Sequence, residues 1–172
     1  MSPIRVGILT VSDRSFRGER PDASGPALET AVNELTWQVI WRDILPDEFT
    51  LLRDFLAQKA DENQIDLLLT TGGTGVAPRD ITPEATQAVV QRLAPGLAEA
   101  MRAESLKITP HAMLSRGVAG IRARTLIINL PGSPKAALEQ LAVIVPALPH
   151  AVQLLRDDTQ AEQGHSLSPV VA

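Results

Sequence analysis

The stretch Ile65-Asp66-Leu67-Leu68-Leu69-Thr70-Thr71-Gly72-Gly73-Thr74-Gly75 leaves a chain few ways to fold. Its apolar run has the length of a strand and no polar alternation, which suits a strand buried on both faces of a sheet. The run stops on Thr70-Thr71 and gives way to three glycines within four residues, Gly72, Gly73 and Gly75. Glycine adopts positive φ and lets a ligand or another backbone approach without meeting a Cβ. Beyond Val76-Ala77-Pro78-Arg79-Asp80-Ile81, the segment Thr82-Pro83-Glu84 reads as a helix start. Thr82 is the expected N-cap, Pro83 fits the first helical position, and Glu84 complements the positive end of the helix dipole. Strand, glycine turn, polar loop and helix in that order form a place where α/β proteins bind anions. The plainer alternative is a tight turn and nothing more. Arg79 and Asp80, lying between turn and helix, favour a ligand site.

Two more segments repeat this logic. Residues 4–12 are rich in β-branched side chains and read as a first buried strand ending on Ser12-Asp13. Those two polar residues suit either a ligand site at the strand end or a solvated turn in which Asp13 caps local amides. Residues 125–130 read as another buried strand, running into Pro131-Gly132-Ser133-Pro134-Lys135. There Ser133 is the N-cap candidate and Pro134 takes the first helical position. Between these segments, residues 15–24 read as a mobile loop, and Gly25-Pro26-Ala27 starts a helix through Leu35 with an apolar face. Residues 37–45 alternate like a strand nearer a sheet edge. Asp47 then reads most simply as the N-cap of a helix over 49–60. Helices are expected from Thr82 to Arg92, from Leu97 to Leu106 after a break at Pro95-Gly96, from Lys135 onward, and over 146–155. Residues 112–124 read as a small-residue, basic segment, and the chain from Asp157 onward as a frayed tail.

These elements make an α/β protein: a three-layer, doubly wound, mostly parallel sheet with helices on both faces. One domain over residues 1–157 with a flexible tail at 158–172 is expected, since 172 residues bury roughly 70% of their unfolded surface in a single core. A net charge of −4 and few aromatic residues argue against nucleic acid as a partner. With no cysteine, disulfides, thiolate metal sites and cysteine nucleophiles are all excluded. The N-terminal residues lack a signal-peptide pattern and no apolar run reaches membrane-spanning length, so the expected location is the cytoplasm.

In a parallel sheet the three strand ends share one edge and converge on one pocket, with Asp47 and Asp80 positioned to face it. Hydroxyls, backbone amides, carboxylates, Arg79 and Lys135 suit a phosphorylated ligand with Mg²⁺. No Walker-type loop is present, and Gly73-Thr74-Gly75 lacks the third glycine of the dinucleotide fingerprint. Ser115 has no nucleophile-elbow context, and the three histidines have no metal-ligand spacing. The residues alone therefore indicate a small phosphorylated ligand, with phosphoryl or nucleotidyl transfer as the matching chemistry.

Several motifs carry the reading further. Thr70-Thr71-Gly72-Gly73-Thr74-Gly75, Pro78-Arg79-Asp80-Ile81-Thr82-Pro83-Glu84-Ala85-Thr86 and Leu130-Pro131-Gly132-Ser133-Pro134 resemble the MogA/MoaB molybdopterin-binding family. Glu104-Ser105-Leu106-Lys107-Ile108-Thr109-Pro110 and Met113-Leu114-Ser115-Arg116 add to the resemblance, which extends to the matching domain of gephyrin-type proteins and spans residues 4–155. The resemblance implies molybdopterin adenylyltransferase activity: AMP passes from ATP to the terminal phosphate of molybdopterin, releasing pyrophosphate. It also implies Mg²⁺, a homotrimer, and hand-over of the product to a metal-insertion protein. Carried over by motif, Asp80 and then Asp47 are the catalytic and metal-handling residues. Ser12, Asp13, Thr71, Gly72, Gly73, Thr74, Gly75, Glu84, Ser115, Pro131, Gly132 and Ser133 are the expected substrate- and nucleotide-binding set. The competing readings are a non-catalytic molybdopterin-binding or scaffold member of the family, and a phosphate-binding regulatory module unrelated to pterins.

Overall fold

The computed structural model describes residues 2–156, so the expected tail at 158–172 lies outside the described residues. Six strands form one sheet in the order β2-β1-β3-β6-β5-β4. Strands β1 (Arg5–Val11), β2 (Gln38–Leu45), β3 (Leu67–Thr71) and β6 (Thr125–Leu130) run parallel. Strands β4 (Arg92–Leu93) and β5 (Ala119–Arg122) close the far edge antiparallel. Alternate strand residues feed two cores, as the pleat requires. Val6, Ile8, Leu67, Leu69, Leu126 and Ile128 meet helices α2 (Ser24–Glu34), α5 (Pro95–Leu106), α6 (Pro134–Ile144) and α7 (Leu148–Leu155) on one face. Leu9, Val11, Leu68 and Ile127 meet α3 (Phe49–Asp61) and α4 (Thr82–Val89) on the other. The expected three-layer, mostly parallel α/β architecture is what the chain forms.

Several local expectations give way to tertiary contacts. The segment read as a mobile loop opens with a helical turn, α1 (Asp13–Phe16), whose first amides are closed by Ser12 Oγ accepting from Ser15 N–H at 3.2 Å. It ends on Asp22, which accepts from Ser24 and Gly25 N–H at 3.1 Å each and from Thr10 Oγ1 at 2.9 Å. Asp47 does not cap α3; Glu48 holds that position without a side-chain bond. Thr82 is likewise inside α4 rather than its cap, because its buried hydroxyl donates to Gly72 O at 2.9 Å. Helix α4 stops at Val89, where Gln91 N–H turns to Ile121 O and starts the β4–β5 pairing. Pro95-Gly96, expected as a break, instead opens α5, a position that suits proline because its missing N–H would have no helical partner there.

At the N-terminal edge of the sheet, the buried carboxylate of Asp66 accepts from Arg5 N–H at 2.8 Å, from the Arg5 guanidinium, and from Arg156 at 2.6 Å. Arg156 directly follows α7 and also donates to Ser2 O and Pro3 O, so this cluster fastens the last described helix to the first strand. Burial pushes the Asp66 carboxyl up, but the Arg156 and Arg5 ion pairs outweigh it and bring it down to about 2. A folded pKa below the unfolded one gives stability that is present above about pH 4 and lost as pH falls toward 2. The expected contribution is about 2 kcal/mol at neutral pH. In urea titrations, Asp66→Asn should lower the unfolding midpoint at pH 7, and the gap to wild type should shrink between pH 4 and pH 2. A gap independent of pH contradicts the ion-pair account.

Candidate functional site

The sheet's topology places the site. The chain leaves β1 toward β2 on one side and reaches β3 on the other, so the carboxyl ends of β1 and β3 flank the switch in winding direction where open α/β sheets bind ligands. The registers Thr10↔Thr71 and Thr71↔Leu130 bring the turns after β1, β3 and β6 level with one another. Gly72 has φ +104°, and a Cβ there would lie 2.3 Å from Val11 O. A Cβ on Gly132 would lie 3.2 Å from Gly72 Cα. The three turns thus touch through backbone, and glycine is what lets them. Gly72 N–H donates to Leu130 O at 3.1 Å and Thr71 Oγ1 to Pro131 O at 2.7 Å, locking the β3 turn to the β6 turn.

Two cavities flank this junction. A polar one of about 460 Å³ is lined by Ser12, Asp47, Thr71, Gly72, Gly73, Asp80, Gly132 and Ser133, together with Thr10, Arg20 and Ser24. Asp47 Oδ1 is 3.1 Å from where a Cβ on Gly73 would stand, and Asp80 Oδ2 is 2.8 Å from the equivalent point on Gly75. The two carboxylates therefore press against the same glycine turn. Among the described residues, the amides of Gly73, Gly132 and Ser133 meet no acceptor, and neither Oδ1 of Asp47 nor Oδ1 of Asp80 accepts a hydrogen bond. The second cavity, about 260 Å³ and mainly apolar, lies beyond the other end of the turn. Thr74, Gly75, Ser115 and Pro131 line it with side chains of α5, α6 and the 3₁₀ helix Pro110–Leu114. Twelve of the fourteen expected site residues thus fall on one cavity or the other.

Asp13 and Glu84 line neither cavity. Asp13 exchanges bonds with Asp47: its N–H donates to Asp47 Oδ2 at 2.9 Å, and Asp47 N–H donates to Asp13 Oδ1 at 3.1 Å. Arg79 reaches back to Asp13 Oδ2 at 2.5 Å and to Asp47 O at 3.0 Å. Hydrogen bonding from Arg79 holds the Asp13 carboxyl below its ordinary value. Burial, reinforced by the Asp13 charge, pushes Asp47 up. A half-buried carboxylate with a free oxygen and a raised pKa is one that gains by meeting a cation. Glu84 instead pairs with Arg116. Arg20 is the residue that sequence reasoning missed. It sits in the segment read as a mobile loop, with no motif to mark it, yet it lines the polar cavity and has no carboxylate partner among the described residues.

No cluster of three or more His, Asp or Glu side chains arranged for a metal occurs among the described residues. Mg²⁺ does not need one, since it commonly takes one or two protein carboxylates and completes its shell with water and substrate phosphates. Asp47 and Asp80 fit that donor set.

Residues 7–150 match the family model described as a probable molybdopterin binding domain. The chain belongs to that family. It is 46% identical over 157 residues to a protein of Helicobacter pylori named molybdopterin adenylyltransferase, covering 90% of this chain and 89% of that one. Gephyrin of Dictyostelium discoideum is 44% identical over 160 residues, which cover 87% of this chain and 22% of gephyrin. The crystal structure of MoaB from Thermus thermophilus, described as a molybdopterin biosynthesis enzyme, superposes with a TM-score of 0.84 at 52% identity, covering 90% of this chain and 97% of that one. Membership sets aside a regulatory module unrelated to pterins.

Proposed function

We propose that this chain is a molybdopterin adenylyltransferase of molybdenum cofactor biosynthesis. An oxygen of the terminal phosphate of molybdopterin bonds to the α-phosphorus of ATP, and the bond from that phosphorus to the β-phosphate oxygen breaks. The products are adenylylated molybdopterin and pyrophosphate. The observation that carries the reading is the convergence of Asp47, Asp80, Arg20 and unpaired amides of two glycine turns on one polar cavity. The likeness to the Helicobacter protein over nine-tenths of the chain names the reaction.

The substrate phosphate is already the nucleophile, so the protein must position two anions and offset charge rather than supply a covalent side chain. The free amides of Gly73, Gly132 and Ser133 and the Arg20 guanidinium provide donors for phosphate oxygens. Asp47 and Asp80 would hold Mg²⁺, which when bound offsets the charge gathering on the pyrophosphate leaving group. The apolar cavity on the far end of the glycine turn suits a planar heterocycle, pterin or adenine, joined to its phosphate across Gly75. A homotrimeric assembly in the cytoplasm, with product passed to a metal-insertion protein, completes the reading, as does one domain over residues 1–157.

The test is to incubate purified protein with molybdopterin, ATP and Mg²⁺ and follow pyrophosphate and adenylylated product by mass spectrometry. Stoichiometric formation of both is expected. Tight molybdopterin binding without either product would instead make this a non-catalytic member of the family.

A further inference from the structure

Asp80 stands on an exposed loop, and something must hold that loop against the cavity. Inside the loop, Ala77 N–H donates to Asp80 Oδ2 at 2.8 Å and Asp80 N–H to Ala77 O at 2.9 Å. These bonds fold the loop on itself without fixing where it sits. Among the described residues, the hydrogen bonds that tie residues 75–80 to the rest of the chain come from two guanidinium groups. Arg79 reaches from within the loop to Asp13 and Asp47 O. Arg116 reaches in from outside. Its backbone N–H donates to Thr74 O at 2.9 Å and its Nε to Gly75 O at 2.6 Å. Its Nη2 donates to Asp80 O, and its Nη1 to the Glu84 carboxylate at the start of α4.

We infer that Arg116 is a positioning residue for the transfer step: it clamps both ends of the 75–80 loop and so sets where the Asp80 carboxylate stands. A planar guanidinium with several donors in a fixed fork can serve two carbonyls and a carboxylate at once, whereas an ammonium is a single point. Arg79 cannot take over the task, because it is anchored on the β1 and β2 ends and leaves Gly75 O and Asp80 O without a donor. Arg116 lines neither cavity, so it acts through Asp80 and not on the substrate. The inference rests on the adenylyl-transfer reading for its catalytic half and on geometry alone for its structural half.

Hydrogen exchange and kinetics on wild type, Arg116→Lys and Arg116→Ala separate the two. In Arg116→Ala, amide exchange in peptides covering 75–84 should speed up at least tenfold while strands β1, β3 and β6 keep their protection. The same variant should lose about 100-fold in kcat with KM for ATP changed less than threefold, since a displaced Asp80 weakens the transition state more than ground-state binding. Arg116→Lys should fall between, and millimolar guanidinium chloride should restore part of the kcat of Arg116→Ala. Unchanged exchange at 75–84 overturns the clamp whatever the kinetics. Faster exchange with wild-type kcat overturns the positioning role. A wild-type protein that makes no adenylylated product overturns the catalytic reading of the chain, and the exchange data still decide whether Arg116 holds the loop.

Discussion

Replacing Asp80 by Asn should reduce adenylyl transfer by a factor of about 10² to 10³ or more while leaving the fold and molybdopterin binding close to wild type. The magnitude is that of removing one preorganised electrostatic partner from a reacting phosphate site, about 3–4 kcal/mol. Asparagine has the same shape, and its amide oxygen keeps the bond from Ala77 N–H, so the loop has no reason to unfold. What disappears is the negative charge facing the turn beside Gly75. Asp47 remains, but it lies across the turn next to Gly73 and is already engaged with Asp13 N–H. Pyrophosphate release under saturating ATP and molybdopterin measures the loss, with melting temperature and a pterin-binding titration as controls. Turnover equal to wild type would remove Asp80 from the catalytic machinery and with it the two-carboxylate description of the polar cavity.

Gly72→Ala should be a severely damaging small substitution, costing about 3 kcal/mol or more of stability and most of the activity. At φ +104° an L-residue is strained by about 1–3 kcal/mol before any contact is counted. The added Cβ would then stand 2.3 Å from Val11 O, which is backbone and cannot swing away. Relief requires moving the end of β1 from the end of β3. That movement breaks the Gly72 N–H bond to Leu130 O or the Thr82 Oγ1 bond to Gly72 O, and both shape the cavity. Gly96→Ala is the matching control. A Cβ there meets nothing within 4 Å, and alanine inside a helix is worth up to about 1 kcal/mol over glycine. Urea midpoints for the two variants should therefore move in opposite directions. A Gly72→Ala protein as stable as wild type would mean that the turns are not in the backbone contact described.

Thr82 and Ser12 stand at element ends, and the structure departs from the local reading of each. Thr82 is the expected N-cap of α4, and after β1 it is Asp13 that is expected to cap local amides. Ser12 behaves locally, capping the helical turn that follows it. Thr82 does not: the β3 turn folds back over it, and its hydroxyl satisfies the buried Gly72 carbonyl instead of an exposed helix amide. Asp47 followed the same course. A carboxylate two residues before a helix has a local use as a cap, but the parallel pairing of β1 and β2 brings Asp13 N–H to it, and that bond replaces the cap. Strands β4 and β5 were not legible at all. A two-residue strand has no periodicity, and β5 is held by pairing with β6 rather than by its own composition. Arg20 escaped for a related reason, since a lone arginine in a polar loop looks the same whether it faces water or a cavity.

Sequence by itself determined the class of the protein and the identity of its chemical groups. Short aliphatic runs of strand length that end in glycine or small polar residues, alternating with helical patterns, suit buried strands whose ends share one edge of a sheet. The order of the motifs then named the family, because each motif keeps its own turn chemistry wherever the chain goes. Tertiary structure decided which of those groups meet. That Asp47 and Asp80 press on one glycine turn, that Asp13 and Glu84 are spent on arginines, that Arg20 lines the polar cavity and that Arg116 reaches the loop bearing Asp80 all depend on strand order and register. Those are contacts between residues far apart in the chain, which no local pattern of propensities encodes.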